Sequence, residues 1–135
     1  MDLVDYLISI GAAVNSVDEE GRTALILASK KKQVDTVRLL LDNKCDTTIQ
    51  DGKGKTALHW AVMKKQTKVV LQLLKKDADA NIQDEHGMTA LHEAVHRGYS
   101  TIILLLLNNR ANPSARDNEG DSPLHHAVWG STVKS

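Results

Sequence analysis

Gly87-Met88-Thr89-Ala90-Leu91-His92-Glu93-Ala94 (GMTALHEA, residues 87–94) has three relatives elsewhere in the chain: GRTAL at 21–25, GKTALHWA at 54–61 and GDSPLHHA at 120–127. The copies are 33 residues apart, and the phasing is unbroken. An aspartate stands three residues before each glycine, at Asp18, Asp51, Asp84 and Asp117. Thr23, Thr56, Thr89 and Ser122 follow two residues after it, then Leu25, Leu58, Leu91 and Leu124, then Ala28, Ala61, Ala94 and Ala127. A fixed period of this size means stacked supersecondary units whose core forms only between neighbours.

The unit from Asp84 to Arg116 shows how each copy is built. Asp84-Glu85-His86-Gly87 reads as a tight turn, with glycine supplying a backbone conformation that other residues resist. Thr89 is placed to N-cap a first helix, its hydroxyl accepting from an orphan amide of the first turn. In the last copy Pro123 follows the cap Ser122, at the helix position that tolerates proline. His92, three residues after the cap, is placed to reach back and fasten it as in a capping box. Leu91, Ala94 and Val95 form that helix's inward stripe, and the small alanine admits a close neighbour. The spacing predicts a second helix over about 101–108, with Ile102, Ile103, Leu105 and Leu106 inward.

These motifs resemble the ankyrin repeat, whose signature is a turn followed by T-P-L-H-x-A. The second halves, VRLLLDNKCDTT, VLQLLKKDADAN and ILLLLNNRANPS, are similar to the family's helix-then-loop ending. The likeness covers the whole chain. It implies an all-α fold, an ankyrin-repeat solenoid of stacked helix-turn-helix units with β-hairpin-like turns. The expected organisation is one domain over residues 1–135: a partial repeat at 1–17, full repeats at 18–50, 51–83 and 84–116, and a partial repeat at 117–135.

Departures from the family pattern are specific. Family members usually end the second helix on a left-handed glycine; Gly11 keeps it, but Lys44, Asp77 and Arg110 replace it. Each replacement is expected to cost about 1 kcal/mol. Ile26 stands where the other copies have histidine, so that cap should lack its side-chain fastening. Residues 2–17 match only a second helix and loop, with Leu3, Val4, Leu7 and Ile8 forming an uncovered apolar face where terminal repeats are normally polar. The expectation is a segment of a longer array, monomeric, with weak self-association through its uncovered ends.

Composition narrows the partners. Seventeen basic and 17 acidic residues give zero formal charge, so no global field favours nucleic acid or an anionic membrane. Phenylalanine is absent and aromatics are 3% of residues, which suits thin helices packed on leucine and alanine. Cys45 is alone, aligns with Ala78 and Ala111, and is expected to be a buried free thiol. The start MDLVDYLISI lacks the basic region of a signal peptide, and the apolar run Ile102–Leu107 is too short to span a bilayer. An intracellular, reducing compartment is expected.

Three motifs imitate chemistry. His92-Glu93-Ala94-Val95-His96 matches the H-E-x-x-H zinc-protease helix. His92 is already accounted for by capping, and the repeat equivalents His59 and His125 lie on neighbouring helices about 8–10 Å away. A catalytic zinc needs a third protein ligand in contact, so neither a metal nor an enzyme is expected, and no cofactor. Gly52-Lys53-Gly54-Lys55-Thr56 imitates a phosphate loop, but Ile49 stands where the pattern requires glycine. Lys30-Lys31-Lys32 reads as a solvated helix end.

Function is expected on a surface. A stack of repeats makes a continuous concave face that binds proteins, and the resemblance implies a non-catalytic recognition module for a protein or peptide. With Leu25/Ala28, Leu58/Ala61 and Leu91/Ala94 inward, the opposite stripe carries Leu27, Lys30 and Lys31; Trp60, Met63 and Lys64; Glu93, His96 and Arg97; His126, Trp129 and Gly130. Arg22, Lys55 and Met88 join it from the turn tips. Tryptophan and arginine dominate interface hot spots; the alternative for Trp60 is half-burial between adjacent helices. A second functional reading is an inhibitor that occludes a partner enzyme with its turn tips. Leu71 and Leu104 form a further candidate surface, unless tilting of the repeats buries them.

Overall fold

The computed structural model describes residues 13–134, with side chains described to Val128. Among these residues are seven helices and no strand. They are α1 (Ala24–Lys30), α2 (Val34–Asp42), α3 (Ala57–Met63), α4 (Thr67–Lys75), α5 (Ala90–Arg97), α6 (Ser100–Asn108) and α7 (Pro123–Lys134). First helices pack side by side in one layer, α1 on α3, α3 on α5 and α5 on α7. Second helices α2, α4 and α6 form the other layer, each also packed on the first helix of its own repeat.

The leucine–alanine stripe builds the core between the layers. Leu25, Leu58, Leu91, Ala28, Ala61 and Ala94 are buried, as are Val37, Leu40, Val70, Leu73, Ile102 and Leu106 from the second helices. Ile103, Leu105 and Val95 pack on this core only partly buried. Leu124, in register with the buried leucines, is 71% exposed on α7.

Turns set the stacking. Each tip closes with an amide-to-carbonyl bond across the turn, such as Asp84 N to Met88 O at 3.0 Å and Gly87 N to Asp84 O at 2.9 Å. Tips then bond to one another: Gly52 N to Glu20 O, Glu85 N to Lys53 O and Asn118 N to His86 O, all at 2.9–3.1 Å. Glycine is required twice over at Gly87, where φ is +77° and an added Cβ would lie 2.6 Å from Asn118 N. Gln50 and Gln83 reinforce the period. Each donates its Nε2 to the carbonyl of the residue 33 positions on, Gln83 and Arg116 respectively.

Capping follows the sequence expectation and adds to it. The hydroxyls of Thr56 and Thr89 accept from the amides of His59 and His92, whose Nδ1 atoms accept the threonine amides in return. The opposite ring nitrogen donates to the next repeat, His59 Nε2 to Met88 O at 2.8 Å and His92 Nε2 to Asp121 O at 2.9 Å. Each histidine therefore joins two repeats as well as closing a cap. Thr23 accepts from Ile26 N without a reciprocal bond.

Lys44, Asp77 and Arg110 have φ of 58°, 60° and 73°, as their places at the missing glycines demand. Lys32 and Lys65 share the left-handed region at first-helix ends, where the third copy has Gly98. Of the two readings of Leu71 and Leu104, the exposed one holds: they are 36% and 62% exposed, so the repeats do not tilt over them. One expectation is corrected. Cys45 is half-buried, and desolvation pushes its thiol up to about 11. Gly11, Leu3, Val4, Leu7 and Ile8 lie outside the described residues. Among the described residues no helix is long and apolar enough to cross a membrane.

Candidate functional site

The first-helix layer carries its outward side chains between the helix ends and the turn tips. Trp60 sits there half-buried on α3, its indole Nε1 donating to Asp51 Oδ2 at 2.7 Å. Lys30 of the preceding repeat lies over the ring, Nζ 4.2 Å from its centroid, a favourable cation–π contact. Together with Glu20, Arg22, Asp51, Gly52 and Lys53 they line a cleft of about 380 Å³. The cleft sets an aromatic surface, held at a fixed angle by a carboxylate, among the cations Arg22, Lys30 and Lys53 and the anions Glu20 and Asp51.

Helix register continues this site along the layer. Lys31, Lys64 and Arg97 occupy equivalent positions at successive first-helix ends, and all three are exposed. Arg97 is tied to Glu93, Nε to Oε2 at 3.2 Å. Half-buried Met63 and exposed His96 precede Lys64 and Arg97 in their helices.

Two of the sequence-named residues are placed differently from expectation. Lys55 is not a solvent-facing tip: it is buried, and its Nζ meets Asp84 Oδ2 at 2.6 Å. Glu93 is also buried, because its place on α5 lies under Arg97. Arg22 stays partly exposed but is engaged by Asp18 at 2.9 Å and Glu20 at 3.1 Å. Met88 is half-buried, its carbonyl accepting from His59 and its amide donating to Asp84. The side chain of Trp129, on α7, lies outside the described residues.

At the other end of the layer, His126 is drawn into a cluster. Its Nε2 lies 2.9 Å from Asp117 Oδ2, and its ring stands edge-on to His92 at 5.3 Å and to His96 at 5.8 Å. His125 caps Ser122, as the sequence predicts, and does not enter this cluster. Asp51–Trp60 and Asp117–His126 are the same nine-residue pairing in two copies. That recurrence is visible in the sequence once the aspartate's second oxygen is recognised as an acceptor.

Comparison with known proteins agrees with the period. A family model described as ankyrin repeats (3 copies) matches residues 1–84, and a second, ankyrin repeats (many copies), matches residues 73–127. Fifty residues are 46% identical to the transient receptor potential cation channel subfamily A member 1 of Homo sapiens. That stretch is 37% of this chain and 4% of the channel subunit's length.

Proposed function

We propose that this chain, which belongs to the ankyrin-repeat family, holds an extended acidic segment of a partner protein across its first-helix face, on the concave side of the array. Ankyrin repeats are protein-interaction modules, and the family is typically non-catalytic. The observation that carries the finer reading is Trp60, clamped by Asp51 and roofed by Lys30, on the helix that Lys64, the middle member of the Lys31, Lys64, Arg97 column, terminates.

Dimensions support an extended partner. Neighbouring helices stand about 8–10 Å apart, and an extended chain advances about 3.3 Å per residue. Successive repeats therefore meet every third residue of the partner. Acidic residues at that spacing would answer the cationic column, with an apolar side chain placed on Trp60. Met63 and His96 flank the path, and the half-buried Arg22 and Met88 border it at the tips. An intracellular setting fits a chain whose single cysteine permits no internal disulfide.

Selection from a random peptide library displayed on phage tests this. Peptides enriched in Asp or Glu at every third position, and lost on Lys31→Glu, Lys64→Glu substitution, are expected. These two side chains are exposed, so their reversal leaves the fold intact by circular dichroism. Selected peptides without acidic enrichment, or binding that survives the reversal, would refute the groove. The tip-to-tip bonded ribbon favours a second reading, in which rigid turn tips occlude a partner enzyme. Under that reading Glu85→Lys, His86→Ala abolishes capture of the partner and Lys64→Glu does not.

A further inference from the structure

Only the first histidine of the H-E-x-x-H stretch, His92, meets further donor groups in the fold, and they come from the next repeat, not from His96. We propose that His92, Asp117 and His126 bind a zinc ion at the junction of α5, α7 and the turn between them. One ligand atom from each of the three lies within 4.8 Å of the other two. Tetrahedral zinc with bonds near 2.0–2.1 Å needs its donors roughly 3.4 Å apart. His126 Nε2 and Asp117 Oδ2 are already at 2.9 Å, and the two imidazole planes are nearly perpendicular, at 86°. Closing the triangle takes side-chain rotation of half-buried His126 and Asp117 toward the buried His92.

The donor set and its surroundings fit zinc. Two neutral imidazoles and a carboxylate are its ordinary ligands, with a fourth position left for water. Coordination through His92 Nε2 moves that ring's proton to Nδ1, where Thr89 Oγ1 stands 2.9 Å away to accept it, and the Thr89 amide gives up its bond to that nitrogen. Such an outer acceptor fixes the tautomer of a metal-bound imidazole. The ion replaces the His92–Asp121 carbonyl bond, the Thr89 amide's bond to His92 Nδ1 and the His126–Asp117 contact, so it competes with the bonds that close this cap and join these repeats. Glu93, the base position of the motif, is turned onto Arg97, so the site holds structure and does not activate water for hydrolysis.

Isothermal titration of the chelator-stripped full chain with zinc chloride is the test, read beside a thermal melt. One zinc per chain and a raised unfolding midpoint are expected. His126→Asn and Asp117→Asn should each weaken uptake at least about tenfold. The Asp117→Asn side chain keeps an oxygen for the tip amides, and matched circular dichroism of both variants separates lost binding from lost fold. His96→Ala, a change at an exposed imidazole, should leave uptake unchanged. No saturable uptake, or uptake retained in His126→Asn, overturns the site. Loss in His96→Ala with retention in His126→Asn also overturns it, assigning the ion to the His92–His96 pair.

Discussion

Lys55 Nζ lies 2.6 Å from Asp84 Oδ2, with the lysine side chain 9% exposed and the aspartate fully buried. The contact makes a general feature of the array visible. In all four copies the tip aspartate uses Oδ1 to accept the amides two and four residues ahead, as Asp84 does for His86 and Met88. Oδ2 is left for a different donor each time. It takes Arg22 Nε at Asp18, Trp60 Nε1 at Asp51, Lys55 Nζ at Asp84, and faces His126 Nε2 at Asp117. One repeated residue thus both shapes every turn and fixes a side chain particular to its copy.

Removing one member of the Lys55–Asp84 pair strands a buried charge, and losses of about 3–5 kcal/mol are usual for that. Lys55→Met is expected to fall at the lower end, because Asp84 keeps two amide donors. Asp84→Ala removes the turn's acceptor as well and should reach the upper end. Urea unfolding followed by circular dichroism measures both. A loss under about 1 kcal/mol for Asp84→Ala would show that the pair and the turn bonds are incidental.

Asp84 also predicts an acid limb of stability. Burial pushes its carboxyl up, but the Lys55 ammonium and the amides of Met88 and His86 outweigh this and hold it below the ordinary 3.8. A depressed folded value means stabilisation that is present above the unfolded pKa and lost as pH falls through the folded one. The urea midpoint is therefore expected to drop steeply below about pH 4, and Asp84→Asn should flatten that drop. An equal slope in the variant would move the effect to other carboxylates.

How much of this was legible in sequence follows from what period can encode. Gly87, Thr89, Leu91 and Ala94 announced turn, cap and core, because each is demanded by local backbone or by burial in every copy. Lys55 and Glu93 misled because helical register states direction, while burial is decided by a neighbour; Asp84 is 29 residues from Lys55. Residue chemistry singles out Trp60 in the sequence, yet its clamp on Asp51 depends on that aspartate's second oxygen being free of the turn. Register puts His126 on a surface stripe, and its approach to His92 depends on how α7 packs across α5.

Left-handed backbone offers a direct route to a more stable chain. Lys32, with φ of 57°, and Arg110, with φ of 73°, bear Cβ strain where Gly98 holds φ of 72° without it. Lys32→Gly and Arg110→Gly are each expected to raise stability by about 0.5–1 kcal/mol, relief of strain exceeding the added freedom of the unfolded chain. Gly98→Ala should lose a similar amount. Lys65 is a poorer choice, since its Nζ also lies 5.3 Å from the Tyr99 ring. Urea midpoints measure all three, and destabilisation by both the lysine and the arginine replacement would contradict the strain argument.

His59 carries the last prediction, because it joins two repeats only while neutral. Its Nδ1 must accept from Thr56 N, leaving Nε2–H to donate to Met88 O. Burial, partly offset by that carbonyl, holds its pKa below the ordinary 6.5. The unfolded chain therefore takes up the proton first as pH falls, and stability present above about pH 6.5 declines toward the folded value. Urea midpoints at pH 7.5 should exceed those at pH 5.5, and His59→Ile should reduce the difference while costing about 2–3 kcal/mol at the higher pH through two unmet buried groups. Ile26→His runs the same argument in reverse. By register its Nδ1 would meet Thr23 N and its Nε2 the Lys55 carbonyl. It should leave stability at pH 7.5 within about 1 kcal/mol of the parent, as two regained bonds offset lost apolar burial, and it should steepen the decline toward pH 5.5. An unchanged pH slope in both variants would show that these histidines do not work as neutral bridges.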